Sequence, residues 1–575
     1  MELSKRASLL DLPLADVLEP NWEKLIYVVI LLLAVVSRFW DVGARAMSHD
    51  ESLHALYSYY LYNGTGYAHN PMMHGPFLFH ANALVYFLFG DTDFTARIVP
   101  AIFGVFMVMS PLLLRRWLGR LGAVVASILL LISPSILYYS RYIRNDIYIT
   151  VWTILLIAAL FHFIRSRKPF WFYLGAAVLM LSLATKENAY IFGFIGLIFI
   201  IEIILWERTS KRNHIWLYVG TAVLSAILLV LAYFLGRSPV EATEAAEGAT
   251  GAAKLLAAVV TVVGGTLPAV LLSATFLRSR HPERSSVEEA LGDLSWQNWL
   301  VAVIIMFVIY ALLFTTFFTN PAGLVTGVFG SISYWLAQQE VQRGGQPWFY
   351  YLLLLPMYEF VPLLFSVIAT GYYLVRGLAP RSRPAVSEEE PEDELQFDQA
   401  PEAEDSTGAW PSASDARFVA FLIFWNISTL FIYSWAGEKM PWLVVHPVLP
   451  MIVLSGKFVG DVLEPVDWRT VWRRGGALLA LLLPVTLFGL YTLVRLQPFQ
   501  SLSVFDLQET GNWFAAFFVT LLLLVLTVLA IRRVRGRYSV LVALATLLVF
   551  LSFFTVRFAW MAAYINYDYA TELLV

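Results

Sequence analysis

Four short polar clusters interrupt a chain that is otherwise apolar, and each holds residue types that handle protons, cations or phosphates. The first, Ser48-His49-Asp50-Glu51-Ser52-Leu53-His54, sets two carboxylates side by side. In such a pair one carboxylate can take a proton from a hydroxyl or ligate a divalent cation while its neighbour orients the partner. Ser48 followed three residues later by Glu51 also spells a helix capping box, with Asp50 in the first turn. The plain alternative is therefore that both acids only cap a helix. A helix N-terminus favours an ionised carboxylate, which suits a base or metal ligand better than a proton donor. His54 falls one turn beyond Asp50, where the two could share a proton or a Mg or Mn ion. His69, His74 and His80 follow in the same loop without the tight spacing of a zinc motif.

The second cluster, Tyr138-Tyr139-Ser140-Arg141-Tyr142-Ile143-Arg144-Asn145-Asp146, follows Pro134 and runs straight into an apolar stretch. Two arginines and an aspartate at a membrane edge are costly unless paired, snorkelled or bound to a polar ligand. They form either an Arg-Asp pair within an aromatic belt or a phosphate site built on the planar guanidinium fork. Lys186-Glu187-Asn188 poses the same choice. Glu438-Lys439-Met440-Pro441-Trp442, followed by His446, is a short turn whose lysine either holds a phosphate or pairs with Glu438. Arg343 and Gln346, in Arg-Gly-Gly-Gln-Pro-Trp-Phe-Tyr-Tyr, combine hydrogen-bonding groups with aromatics that can stack on a sugar or simply sit at the interface. Glu359 reads as an acid about three turns inside a helix that starts near Tyr350, facing protein or a cavity.

The elements that must carry these clusters are membrane helices. The 575 residues are 59% hydrophobic and only 14% charged, with a mean hydropathy of +0.68, which excludes a soluble enzyme. Apolar runs of about 20 residues fall near 25–42, 97–114, 121–139, 147–164, 171–185, 189–206, 215–235, 255–277, 299–318, 350–375, 417–435, 443–457, 476–494, 512–531 and 538–558, so the sequence predicts an all-α bundle of about fifteen spans. Basic groups such as Arg115/Arg116/Arg120, Arg165/Arg167/Lys168, Arg208/Lys211/Arg212, Arg278/Arg280/Arg284 and Arg532/Arg533/Arg535/Arg537 follow every second run. The positive-inside rule makes those loops cytoplasmic, puts the N-terminus inside, and leaves the four polar clusters facing outward.

No segment reads as a removable signal, so residues 1–24 are expected to stay as a cytoplasmic lead into the first span. A module over 25–379 contains a first outward loop, 43–96, whose apolar part from Pro76 to Gly90 is too short to span and reads as an interfacial helix. Residues 380–414 are Pro, Glu, Ser and Ala rich and read as a disordered acidic linker, and 415–575 carry the remaining spans. The formal net charge of −3 hides a tract from Glu388 to Asp405 with ten acids and no base; the rest of the chain is positive. With no cysteine, disulfides, thiolate metal sites and a cysteine nucleophile are excluded. Nucleic acid is not an expected partner.

The Asp-Glu opening of the first outward loop, Arg141-Tyr142-x-Arg144-x-Asp146 after the third span and Lys186-Glu187-Asn188 after the fifth resemble the polytopic glycosyltransferases of the GT-C fold. The chain is most similar to the dolichyl-phosphate-mannose protein mannosyltransferase-like group and to the flippase-activity-associated family of archaeal protein glycosylation, whose pattern Gln346-Pro347-Trp348 and Gly437-Glu438-Lys439 also fit. The resemblance implies an enzyme that moves a hexose from a polyprenyl-phosphate donor to a glycan, lipid or protein acceptor in the cell envelope, on the extracytoplasmic side of the cell membrane. It implies Asp50 and Glu51 as the catalytic carboxylates, Asp50 as the general base or a ligand of a divalent cation and Glu51 orienting the acceptor or capping the helix, and Arg141, Arg144, Lys186 and Lys439 as donor-phosphate ligands. His54, His74, Asp146, Glu187, Arg343, Gln346 and Glu438 are then left to the rest of the substrate, and Asp50 with His54 to a metal. The alternative is a non-catalytic flippase, or flippase-associated protein, for lipid-linked oligosaccharides, which would need the phosphate site but no base.

Overall fold

The computed structural model describes residues 21–236, 247–277, 284–331, 334, 345–378, 413–501, 503–567 and 572–574, and all regular structure among them is helical. The helices run α1 (Trp22–Phe39), α2 (His49–Tyr62), α3 (Phe77–Phe89), α4 (Ile98–Met109), α5 (Arg120–Ile132) and α6 (Pro134–Tyr139). Next come α7 (Asp146–Ser166), α8 (Pro169–Leu183), α9 (Asn188–Arg208), α10 (His214–Gly236), α11 (Glu247–Ser273), α12 (Ser286–Gly292) and α13 (Trp296–Phe314). The last are α14 (Tyr350–Tyr358), α15 (Phe360–Leu378), α16 (Ala413–Trp435), α17 (Val445–Leu463), α18 (Gly476–Arg495), α19 (Val504–Val534) and α20 (Gly536–Trp560).

Among the described residues, 12 helices are long and apolar enough to cross a bilayer. They account for all but three of the runs expected from the sequence. The run at 25–42 is α1, which carries Glu23, Lys24 and Arg38. The run at 121–139 divides into α5 and α6, because Pro134 cannot continue the hydrogen-bond ladder and Ser133 caps α6 instead, accepting from the Ile136 amide at 3.2 Å. The run at 171–185 is α8, only 15 residues long. The first-loop helix α3 has 13 residues, short of a span as expected. The acidic linker 380–414 lies outside the described residues except for Ala413 and Ser414, which open α16; residues 237–246, Arg278, Arg280 and Arg343 also lie outside.

The chain forms two compact units, each drawing on both sides of the linker. One comprises Met1–Ile154, Phe349–Phe365 and Met440–Val575, the other Leu155–Trp348 and Ser366–Lys439. In the first unit α17 is the central helix, its whole spanning window buried. It meets α5 backbone to backbone: a Cβ added at Gly460 would stand 2.8 Å from the Gly122 Cα, and one at Gly122 would stand 2.8 Å from the Gly456 carbonyl oxygen. Gly456 and Gly460 thus work as a GxxxG face, the close-packing device of helices in lipid, where apolar contact alone gives little drive. Val471, Leu479, Leu482, Ala530, Val534 and Val542 pack α18, α19 and α20 into a second core. In the second unit Met180, Ala184 and Phe314 join α8 to α13, and the Ser225 hydroxyl donates to the Gly264 carbonyl at 2.7 Å to tie α10 to α11.

Candidate active site

The capping box read from the sequence is formed at the start of α2. The Glu51 amide donates to the Ser48 hydroxyl, and the Glu51 carboxylate accepts from the Ser48 amide, both at 3.3 Å. That carboxylate has further partners from three chain segments. Arg45 donates at 2.9 Å, Arg97 at 2.9 and 3.0 Å, and the Ile143 amide at 3.1 Å. Glu51 and Arg97 have no exposed surface. Burial would raise the Glu51 carboxyl, but the charges of Arg45 and Arg97 outweigh it and hold the group below its ordinary range. Glu51 therefore fixes the 43–48 segment, α2, the turn at Arg97 and the loop after α6 to one another, while the Ser48 and Tyr142 hydroxyls bond beside it.

Its neighbour Asp50 differs: its side chain is 35% exposed and its carboxylate meets Arg144. The Arg144 guanidinium lies over the Trp442 ring, 3.4 Å from the centroid, and its Nε is 3.7 Å from the Asp146 carboxylate. Asp146 is fully buried and faces His446 Nε2 at 3.1 Å. An open acid, an arginine, a sealed acid and an imidazole thus stand in one line. His54 Nδ1 lies 2.6 Å from the Asp50 carbonyl, and its ring stacks on Phe79. Burial first, then the Arg144 charge, push the imidazole down to about 4. The ring is therefore neutral at neutral pH, with Nδ1 donating to the carbonyl and Nε2 left as an acceptor. Nε2 is buried without a hydrogen-bond partner among the described residues, and so are both amide atoms of Asn145. Buried polar atoms normally find partners, so these are the groups beside Asp50 with hydrogen-bonding capacity left over.

The remaining sequence candidates divide sharply. Arg141 is spent on structure, its guanidinium on the carbonyls of Ser37 at 3.2 Å, Arg38 at 3.3 Å and Trp40 at 2.6 Å, with Tyr564 stacked beneath; it caps α1. His74 follows a short 3-10 turn in the left-handed region, φ 67°, unusual for a non-glycine residue, and its charge is felt at His54. His80 Nδ1 lies 2.8 Å from the Pro76 carbonyl, the turn preceding it on α3. Glu359 is not inside a helix: it ends α14 before α15 begins, and accepts from the Ser133 hydroxyl, the Ser135 amide and the Ser135 hydroxyl at 2.6 to 2.9 Å. Pro356 and the pull of those serines break the run there.

Lys186, Glu187, Glu438, Lys439 and Gln346 belong to the second unit. Lys186 and Glu187 are buried at the start of α9. Lys439 donates to the Ala436 carbonyl at 2.6 Å, closing its own turn rather than pairing with Glu438, one of the two roles its sequence left open, and burial lowers its ammonium. Glu438 is half-buried and Gln346 exposed. No group of three or more His, Asp or Glu able to hold a metal occurs among the described residues. Trp442 and His446 were not sequence candidates, although both lie just past Lys439. The signal for them was a tryptophan and a histidine entering a span, where only a paired polar residue is tolerated.

The profile of the dolichyl-phosphate-mannose-protein mannosyltransferase family matches residues 73–233, a stretch that contains Arg141, Arg144, Asp146, Lys186 and Glu187. Among solved structures the chain is similar to ArnT from Cupriavidus metallidurans bound to undecaprenyl phosphate, with 15% identity and a TM-score of 0.45 over 94% of this chain and 77% of that one. For ArnT in the apo state the identity is 16% and the TM-score 0.40, over the same shares. No curated protein sequence matches the chain.

Proposed function

We propose that this chain is a GT-C type membrane glycosyltransferase, moving a sugar from a polyprenyl-phosphate donor to an acceptor hydroxyl or lipid-linked glycan at the outer face of the cell membrane. The observation that carries this reading is the pairing of a partly exposed acid, Asp50, with an arginine, Arg144, that a sealed acid and a tryptophan hold from behind. The mannosyltransferase profile over residues 73–233 supports the reaction class.

In this reading the donor phosphate competes with Asp50 for Arg144. The fork that neutralises the carboxylate at rest turns to the phosphate, where charge grows as the sugar leaves. Asp50, released, takes the proton of the acceptor hydroxyl. The acceptor oxygen forms its bond to the anomeric carbon from the face opposite the phosphate, the carbon–oxygen bond to phosphate breaks, and the phosphate departs with the electron pair. His54 Nε2 and the Asn145 amide receive sugar hydroxyls, and the Asp146–His446 pair keeps Arg144 in place. Glu51 is the brace that aims α2. Arg144 already supplies the cation at Asp50, and His54 has turned Nδ1 to a carbonyl, so Asp50 and His54 make a thin donor set for a divalent ion. A Mg²⁺ ion would depend on the substrate's own phosphate oxygens for most of its ligands, and no step above is routed through it.

The test is transfer of radiolabelled sugar from a panel of polyprenyl-phosphate sugars by the purified protein in lipid, with Asp50→Asn and EDTA as controls. Turnover lost in Asp50→Asn with donor binding retained supports the enzyme. Donor binding without turnover from any donor would shift the reading to a flippase-associated protein.

A further inference from the structure

A cavity lies among the helices of the second unit. It occupies about 230 Å³ inside the second unit and is lined by Phe161, Ile164, Arg165, Arg167, Ile203, Ser286 and Arg417. Three arginines and no acid line it among the described residues. Two of them are fixed from outside: Glu207 holds Arg417 at 3.2 Å, and Glu289 and Asp293 hold Arg167 at 2.7 and 2.8 Å. Glu207 also accepts from the Ser286 amide and hydroxyl at 2.7 and 2.8 Å, which sets the start of α12 against the end of α9. Arg167 is held in the left-handed region, φ 53°, at the place after a helix that glycine or asparagine ordinarily takes. A large cation kept in that conformation and tethered twice is a positioned group, although its side chain is 41% exposed.

We infer that this cavity binds the phosphate headgroup of an anionic membrane lipid. Guanidinium forks match phosphate oxygens in geometry and charge. The apolar part of the lining, Phe161, Ile164 and Ile203, belongs to α7 and α9, both long enough to span, so the glycerol and first methylenes rest on the helices while the chains stay in the bilayer. The volume falls below the roughly 300–1,000 Å³ of pockets that enclose a whole small-molecule ligand, which suits a headgroup. Arg167 and Arg208 both meet acids of the α12 region, Glu289 and Asp293 for the one and Glu288 for the other, so the basic groups of the two helix ends share this place. On the positive-inside rule it faces the cytoplasm, where anionic lipid is drawn to basic pockets between helices. The site joins the ends of α7, α9 and α16. The inference does not depend on the proposed sugar transfer.

The experiment is native mass spectrometry of the full chain released from nanodiscs of equal parts phosphatidylcholine and phosphatidylglycerol, counting each lipid retained. Wild type should keep phosphatidylglycerol in preference. Arg165→Gln, a surface residue whose loss leaves the fold alone, should cut that preference about fivefold, the worth of one arginine at a lipid phosphate. Arg417→Lys, which keeps a cation beside Glu207, should cut it less. Lys211→Gln, an exposed basic residue on the neighbouring loop, should leave it unchanged. Equal losses in Lys211→Gln and Arg165→Gln, or none in either, would overturn the site. Soluble glycerol 3-phosphate is the second probe: displacement of phosphatidylglycerol by it at comparable concentration would overturn the assignment to a lipid.

Discussion

Two carboxylates one residue apart on α2 live in opposite surroundings. Around Glu51 each oxygen is satisfied, by two arginines and two backbone amides. Around Asp50 the polar groups are held but not used up: its side chain is 35% exposed, and His54 Nε2 and the Asn145 amide lack partners among the described residues. A saturated buried network is costly to break and adds rigidity. An unsaturated one stores binding capacity for something else. The same helix turn supplies both, so the brace and the open carboxylate cannot drift apart.

The contrast is broken most directly at Asp50. Asp50→Asn should lower sugar transfer by about 10²–10⁴-fold, the usual worth of a positioned proton acceptor, with donor binding and thermal stability close to wild type. A variant that unfolds instead would show Asp50 to be a second brace. Glu51→Gln should behave in the opposite way. It leaves Arg45 and Arg97 buried without their counter-charge, a loss on the order of 3–5 kcal/mol, read as a lower melting temperature in detergent and poor yield of folded protein. Full stability with lost turnover would move Glu51 from brace to catalytic acid.

Much of this was legible locally and little of it at long range. Ser48-x-x-Glu51 announced the helix start, and Arg144 with Asp146 announced a costly charge at a membrane edge. Arg97 was not legible, because its partner is 46 residues away across a helix and a turn. Neither was the Asp146–His446 pair, 300 residues apart; no spacing rule reaches so far. Arg141 looked like Arg144 in sequence, and only the direction of the α1 carbonyls shows that one caps a helix while the other meets Asp50. The helix pattern was read well where the runs were continuous and missed at Pro134 and Glu359, where a proline interrupts the ladder and a polar side chain takes the place of the next helical bond.

His54 sharpens the comparison by pH. Its imidazole is held down near 4, while the unfolded chain's histidine titrates near 6.5. The unfolded state therefore binds the proton first, and stability present above pH 6.5 drains away as pH falls toward 4. Between pH 6.5 and about pH 5 the loss should be about 1.5 kcal/mol. Glu51 acts in a lower window, since its depressed carboxyl matters only below the ordinary carboxylate range. Melting curves of wild type and His54→Gln across the upper window separate the two. Parallel curves would mean that His54 is not buried as a neutral base.

The smallest effect belongs to Trp442. Its ring lies under Arg144 and takes no part in proton transfer, so it acts by holding the guanidinium flat with its edge free for Asp50 or phosphate. Removing it as Trp442→Leu should cost roughly 0.5–2 kcal/mol of donor binding, the range of a cation–π contact. That would appear as a KM for the donor raised roughly two- to thirtyfold with kcat little changed. Trp442→Phe, which keeps an aromatic face, should recover part of the loss. If kcat falls and KM does not, Trp442 touches the reacting sugar, and the open side of the Asp50 network reaches further than Arg144.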